Sequence, residues 1–251
     1  MSKIYKKINS CRICGNRKLK KVIDLGSQYL QGSFIKSNLP KPYLKKIPLK
    51  LTLCKNCSLI QLMHTTNKNI LYKNYWYQSG VNKTMRDHLK NIVKILINMN
   101  KKFTNDLNVL DIGCNDGTLL EFYPKKINKF GIDPSQIINK INQKNIKIFR
   151  DFFPPKKKKF KNLNIKFNII TSIAMFYDLD NPNKFVKNIK NILSSNGIWV
   201  FELSYLADML KLNSFDTICH EHLEYYSLTS LIFLMKKHNL KIFKVTRNNI
   251  N

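Results

Sequence analysis

At 251 residues with 43% hydrophobic residues, the chain can bury a full core as one large domain or two small ones, and it is too apolar to be disordered. Its formal net charge of +29 is scattered through every segment beside abundant Asn and Ile, so it reads as compositional drift rather than a nucleic-acid footprint, although such a surface binds polyanions weakly at low salt. No apolar run nears the roughly 20 residues that cross a bilayer and residues 1–7 lack the apolar core of a signal peptide, which excludes a membrane partner and predicts a soluble cytoplasmic protein.

In chain order, the first signal is a pair of knuckles, Cys11-x-x-Cys14 and Cys54-x-x-Cys57. In a reducing compartment two such turns offer four thiolates to one tetrahedral zinc ion, and with every position taken by protein the metal is structural. Short strands and turns are expected over residues 23–26 and 28–34 and a linker over 40–48, and the second knuckle runs into the apolar residues 59–62. Residues 1–70 then form a small metal-held domain. Residues 72–82 are rich in aromatic side chains, among them Tyr75, Trp76 and Tyr77, and suit packing or an interface. Apolar residues Met85, Leu89, Ile92, Val93, Leu96 and Ile97 recur at helical spacing and predict an amphipathic helix over 83–100. The segment 71–104 thus links the first domain to a second, 105–251.

That second domain is organised around residues 109–120, where an apolar strand runs into Gly113-Cys114-Asn115-Asp116-Gly117 and then a helix. Gly113 and Gly117 let the loop turn sharply and a ligand lie against its backbone. Asp133 ends the next strand 22 residues after Asp111, the spacing that brings a carboxylate to a ribose. Asp111 and Asp116 would repel a pyrophosphate and favour a cation such as S-adenosylmethionine. The motif resembles the first motif of class I methyltransferases. Strands over 147–149, 167–172 and 197–202, a helix over 183–193 and a sixth strand over 240–245 continue the alternation of a Rossmann-like, doubly wound α/β sheet. Ligands in such sheets sit past the carboxyl ends of the strands, which adds Asp151 and Ser172 to the candidate cofactor contacts Asp111, Gly113, Asn115, Asp116, Gly117 and Asp133. The charge run at 156–159 falls in a loop. Residues 215–227 carry Cys219-His220-Glu221-His222, three acid/base groups in a row suited to proton transfer near neutral pH.

With both knuckles, the Tyr-rich segment, the glycine loop and His-Glu-His in their order, the chain resembles the zinc-containing sugar C-methyltransferases. The resemblance implies a zinc-bearing N-terminal domain, a central S-adenosylmethionine domain and a C-terminal domain that helps hold a nucleotide-linked keto-deoxy sugar. It implies His222 as the base that makes an enolate, Glu221 as its partner, and Tyr75 and Tyr77 as substrate contacts, with His220 less suited. Family members often carry Tyr where Cys219 stands. The resemblance also implies a truncated or split member that lacks a seventh strand, with a separately encoded C-terminal domain as a partner. Two other readings stand beside it: an RNA base methyltransferase, and a non-catalytic remnant that binds the cofactor alone.

Overall fold

The computed structural model describes residues 4–31, 46–72, 75–99, 107–141, 144–156, 160, 163–248 and 250. The expected strand beyond residue 31, most of the 40–48 linker and the lysines at 157–159 lie outside the described residues.

In chain order the strands and helices begin with β1 (Tyr5–Lys7), β2 (Leu19–Gln28), β3 (Ile47–Cys54), β4 (Ile60–Leu62), β5 (His64–Thr66), α1 (Lys68–Tyr72) and α2 (Lys83–Met99). They continue with β6 (Asn108–Ile112), α3 (Thr118–Glu121), β7 (Asn128–Asp133), β8 (Ile146–Arg150) and β9 (Phe167–Ile173). The last are α4 (Pro182–Ile192), β10 (Leu193–Glu202), α5 (Leu206–Lys211), β11 (Glu224–Tyr225) and α6 (Leu228–Lys237). No helix among the described residues is long and apolar enough to cross a membrane.

These elements group into two compact units. A parallel-sheet unit comprises Tyr72–Phe176, Lys184–Glu202 and Val245–Asn251, and a cysteine unit comprises Met1–Leu71, Tyr177–Asn183 and Leu203–Lys244.

In the parallel-sheet unit five strands run in the order β10-β9-β6-β7-β8, every pair parallel. The order of strand addition reverses between β6 and β9, with β7 and β8 on one side and β9 and β10 on the other, the switch point at which doubly wound sheets bind ligands. Val109, Leu110, Ile112, Ile169 and Ile170 are all buried, as expected of strands covered on both faces. Asn82 starts α2 by accepting the backbone N–H of Thr84 at 2.8 Å, an N-cap that satisfies an otherwise orphaned donor. The helix then lays Leu89, Val93 and Leu96 into one core with Val109, Leu119, Leu120 and Ile169.

The cysteine unit holds an antiparallel sheet in the order β11-β4-β3-β2 and a separate pair, β1 with β5. β3 buries alternate residues, and Leu49 and Leu51 pack with Leu62, Leu206, Leu223 and Tyr225. β2 is exposed along most of its length and contributes little to that core. A capping box between Ser227 and Ser230 starts α6.

The expected sixth strand over 240–245 is corrected by the structure: these residues are non-helical and unpaired as a strand. The backbone N–H of Leu240 is spent closing α6 on Met235 O at 3.0 Å, and Phe243 and Val245 are exposed. Alternation makes a strand only where a neighbour supplies the hydrogen-bond ladder, and the described residues offer none here.

Candidate functional site

In the parallel-sheet unit the tips of β6 and β7 build a cradle. Gly113, Asn115 and Gly117 all take positive φ (76°, 52° and 80°), the left-handed region that glycine enters freely and asparagine at modest cost. The backbone N–H of Gly113 donates to Ile132 O at 2.8 Å, which locks the loop to β7. A Cβ on Gly113 would stand 3.0 Å from the Met175 side chain, and one on Gly117 would stand 2.9 Å from Ile141. A side chain at either glycine would be strained by its positive φ and would push on that neighbour.

Three carboxylates surround the cradle. Asp133 accepts the backbone N–H of Asn115 at 2.9 Å and that of Ser135 at 2.8 Å, so a short loop holds it in place. The Ser135 hydroxyl beside it is buried without a hydrogen-bond partner. Asp111 is 4% exposed and accepts the Thr171 hydroxyl at 2.6 Å. Asp116 accepts the Thr118 hydroxyl at 2.6 Å and the backbone N–H of Gly80 at 2.8 Å. Burial pushes the Asp111 carboxyl up to about 7; the Thr171 hydrogen bond opposes that rise and Asp133 adds to it.

This buried acid has a measurable signature. Its folded form holds a proton that the unfolded chain releases near pH 4, so its ionisation costs stability as pH rises from there through 7. Against an Asp111→Asn variant, urea unfolding should show the wild type losing about 2–3 kcal/mol between pH 5 and 7.5. Parallel curves for the two proteins would refute the assignment.

The aromatic segment is tied directly onto this loop. Asn115 Nδ2 donates to the backbone oxygen of Tyr77 at 2.9 Å, and its Oδ1 accepts the N–H of Ser79 at 3.0 Å. Lys140 donates to Gln78 at 2.9 Å. Tyr75 packs on Tyr72, which in turn meets Phe152. Burial pushes the Tyr77 phenol up, and Asp116 adds to the shift. Asp151 accepts the backbone N–H groups of Phe152 and Lys156 and so shapes the turn after β8. Ser172 is fully buried, with its hydroxyl taking the Trp199 N–H at 3.2 Å.

In the cysteine unit the sulfurs of Cys11, Cys14, Cys54 and Cys57 lie within 4.8 Å of one another. Tetrahedral zinc at ~2.3 Å from each sulfur sets them ~3.8 Å apart, so the cluster fits that ion. Four thiolates packed this closely repel one another unless a cation sits among them.

The same unit carries the His-Glu-His segment. His222 places Nδ1 2.9 Å from Thr217 O; a carbonyl only accepts, so Nδ1 carries the hydrogen and Nε2 holds the lone pair. Burial lowers its affinity for a proton. The Tyr177 ring stands edge-on to it at 4.4 Å, and both line a small cavity with Ser204, Met209, Thr217 and Tyr225. Burial pushes the half-buried Glu221 carboxyl up. His220 is 1% exposed, with its ring nitrogens on Ile47 O and the Gln31 amide, so it is spent on structure. Thr171 and Ser135, which partner Asp111 and hold Asp133, had no sequence signal, because a lone hydroxyl or backbone donor gains a partner only through the fold.

A parallel sheet with its switch point at a glycine cradle ringed by carboxylates, preceded by a four-cysteine cluster, is the architecture of a class I S-adenosylmethionine-dependent methyltransferase with a zinc-binding segment. The cradle's donor set fits that cofactor: carboxylates suit a sulfonium and an ammonium, and Asp133 with the unpartnered Ser135 hydroxyl suits a ribose. The chain belongs to the methyltransferase-domain family, whose model matches residues 77–245, and a second model, described as "Putative zinc binding domain", matches residues 11–72. It is 26% identical over 251 residues to the C-methyltransferase NovU of Streptomyces niveus, an alignment that covers 98% of this chain and 59% of that protein. It is 30% identical over 131 residues to the tRNA U34 carboxymethyltransferase of Campylobacter jejuni, covering 45% of this chain and 42% of that one. Among solved structures it resembles the plantazolicin methyltransferase BamL, with a TM-score of 0.50 and 20% identity over 62% of this chain and 63% of that one. That likeness is one of fold.

Proposed function

We propose that the chain is the metal- and cofactor-bearing part of a C-methyltransferase that acts on a nucleotide-linked keto-deoxy sugar. The observation that carries this reading is the NovU alignment, which runs through the knuckles, the glycine loop and the His-Glu-His segment together over 98% of the chain. The chain spans 59% of that relative's length, and a C-terminal domain that helps hold the sugar nucleotide belongs to the proposal. So does the division into a zinc domain (1–70), a linking segment (71–104) and a cofactor domain (105–251).

S-adenosylmethionine, when bound, supplies an electrophilic methyl group. Asp111, Gly113, Asn115, Asp116, Gly117, Asp133, Asp151 and Ser172 form or support its seat. Carbon next to a sugar ketone becomes a nucleophile only once its proton is removed. His222 takes that proton on Nε2, the nitrogen that the Thr217 hydrogen bond leaves with a lone pair. Glu221 is its partner in proton handling, and Tyr75 and Tyr77 contact the substrate or its enolate.

A second reading, RNA modification, draws on the Campylobacter similarity and the +29 charge. Zinc knuckles suit such an enzyme as well, but that alignment covers 45% of the chain, and the reading leaves the His-Glu-His segment without a purpose. Incubation with labelled methyl donor and a panel of keto-sugar nucleotides, with and without a separately expressed C-terminal domain, distinguishes the two. Label on a sugar nucleotide is expected; label on RNA alone would sink the sugar reading.

A further inference from the structure

We infer that Arg12, which lies between the metal ligands Cys11 and Cys14, is a positioning residue that couples the metal knuckle to the segment carrying His222. The importance of that coupling for turnover rests on the proposed role of His222; the coupling itself does not.

The Arg12 side chain leaves the knuckle and is 2% exposed. Its Nη1 donates to Leu62 O at 2.6 Å and to Gln61 Oε1 at 3.3 Å, and its Nη2 donates to the Thr65 hydroxyl at 2.8 Å. Its Nε stands 3.5 Å from Glu224, whose side chain is fully buried; burial pushes that carboxyl up and Arg12 opposes the rise, helped by the Leu179 backbone. Arg12 is thus the cation that balances Glu224, two residues from His222.

Arg12 also grips the strand that carries Glu224 through its neighbour. Gln61 and Glu224 are register partners between β4 and β11, and the Leu62 N–H donates to Leu223 O at 2.9 Å. The Leu223 N–H in turn donates to Tyr177 O at 2.8 Å, fixing the ring that faces His222. A second tie reaches the knuckle from the same side of the chain. Asn183 Nδ2 donates to Arg12 O at 2.7 Å and to Ile13 O at 2.9 Å, and Asn183 closes the segment that begins at Tyr177. Both neighbours of the imidazole, the Tyr177 ring and the 223–224 backbone, therefore trace to residues 12 and 13.

A buried ion pair of this kind is poor evidence of stabilisation, because desolvation offsets its attraction. What it does supply is a unique register: among the described residues Arg12 is the cation that faces Glu224, and it is set between two metal-ligand cysteines. Coupling of this kind is reciprocal, so a change at Glu224 must be felt at the metal.

The test uses the full chain loaded with zinc or with 113Cd, whose resonance reports the four sulfurs. Imidazole 15N resonances of His222 are assigned with a His222→Gln variant. Arg12→Met is expected to keep one metal per chain yet lose Nδ1–H as the sole His222 tautomer, and Arg12→Met combined with Glu224→Met to restore it, since no charge is then left unpaired. Glu224→Gln, which keeps size and leaves every Arg12 hydrogen bond available, covers the case in which Arg12→Met fails to fold. It should displace the 113Cd line although Glu224 touches no ligand. Unmoved His222 resonances in a metal-loaded Arg12→Met protein, or an unmoved 113Cd line in Glu224→Gln, would overturn the coupling. These spectra are read without turnover, so a failed base assignment, seen as full methyl transfer by His222→Gln, leaves them decisive.

Discussion

Replacing Cys57 with serine is expected to cut bound zinc from one ion per chain to a small fraction and to abolish the cooperative unfolding of the cysteine unit. The four cysteines come from two turns far apart in the sequence, and the ion ties them together. β2 is largely exposed, and one apolar cluster there joins Leu49, Leu51 and Leu62 to residues far along the chain, Leu206, Leu223 and Tyr225. Small structural zinc sites contribute roughly 10–16 kcal/mol of apparent binding free energy near neutral pH, as much as the whole stability of an ordinary domain at about 5–15 kcal/mol. Three sulfurs retain the ion weakly, and the remaining thiolates then face one another without a full charge balance. Thermal melts with zinc quantified by a chromogenic chelator would decide the matter. A variant that loses its metal but melts as sharply as the wild type would show that the cluster does not hold the fold.

In the keto-sugar assay, His222→Gln is expected to lower kcat by about 10²–10⁴-fold, the usual contribution of a positioned general base, while leaving affinity for S-adenosylmethionine unchanged. Glutamine keeps a polar group at the position but cannot take up a proton. The pH profile gives the sign independently. Burial disfavours the imidazolium, so the acidic limb of kcat/KM should lie below the ordinary histidine value of about 6.5. Activity falls as pH drops through that lowered value, because the base is then protonated. A limb above 6.5, or a variant with wild-type kcat, would remove His222 from the chemistry.

Much of this molecule is legible in its order of residues. The Cys-x-x-Cys spacing announces the metal cluster because one tight turn can present two thiolates to one ion. The run from Val109 to Gly117 announces a strand, a sharp turn and a ligand cradle because glycine, and asparagine at modest cost, enter most readily the φ values that the turn requires. The alternation of apolar strands with helical periodicity announces the parallel sheet. Periodicity misled at 240–245, since alternation records what a strand would need and says nothing of whether a neighbour exists to pair with it.

Other features came from tertiary structure alone. Its place inside a Cys-x-x-Cys knuckle does not tell where the Arg12 side chain goes, in a chain with 44 lysines and arginines, and nothing local says that Glu224 rather than Glu221 is its partner. Folding buries one pair and leaves Glu221 half in solvent. Nor does a sequence assign the tautomer of His222, which depends on a carbonyl five residues away being turned toward Nδ1, or the use of Asn115 as the anchor of the Tyr77–Gly80 backbone. Local spacing dictates backbone geometry and donor chemistry because both act over a few bonds. Burial, pairing and proton placement act through space between residues distant in the chain, and they exist only once it has folded.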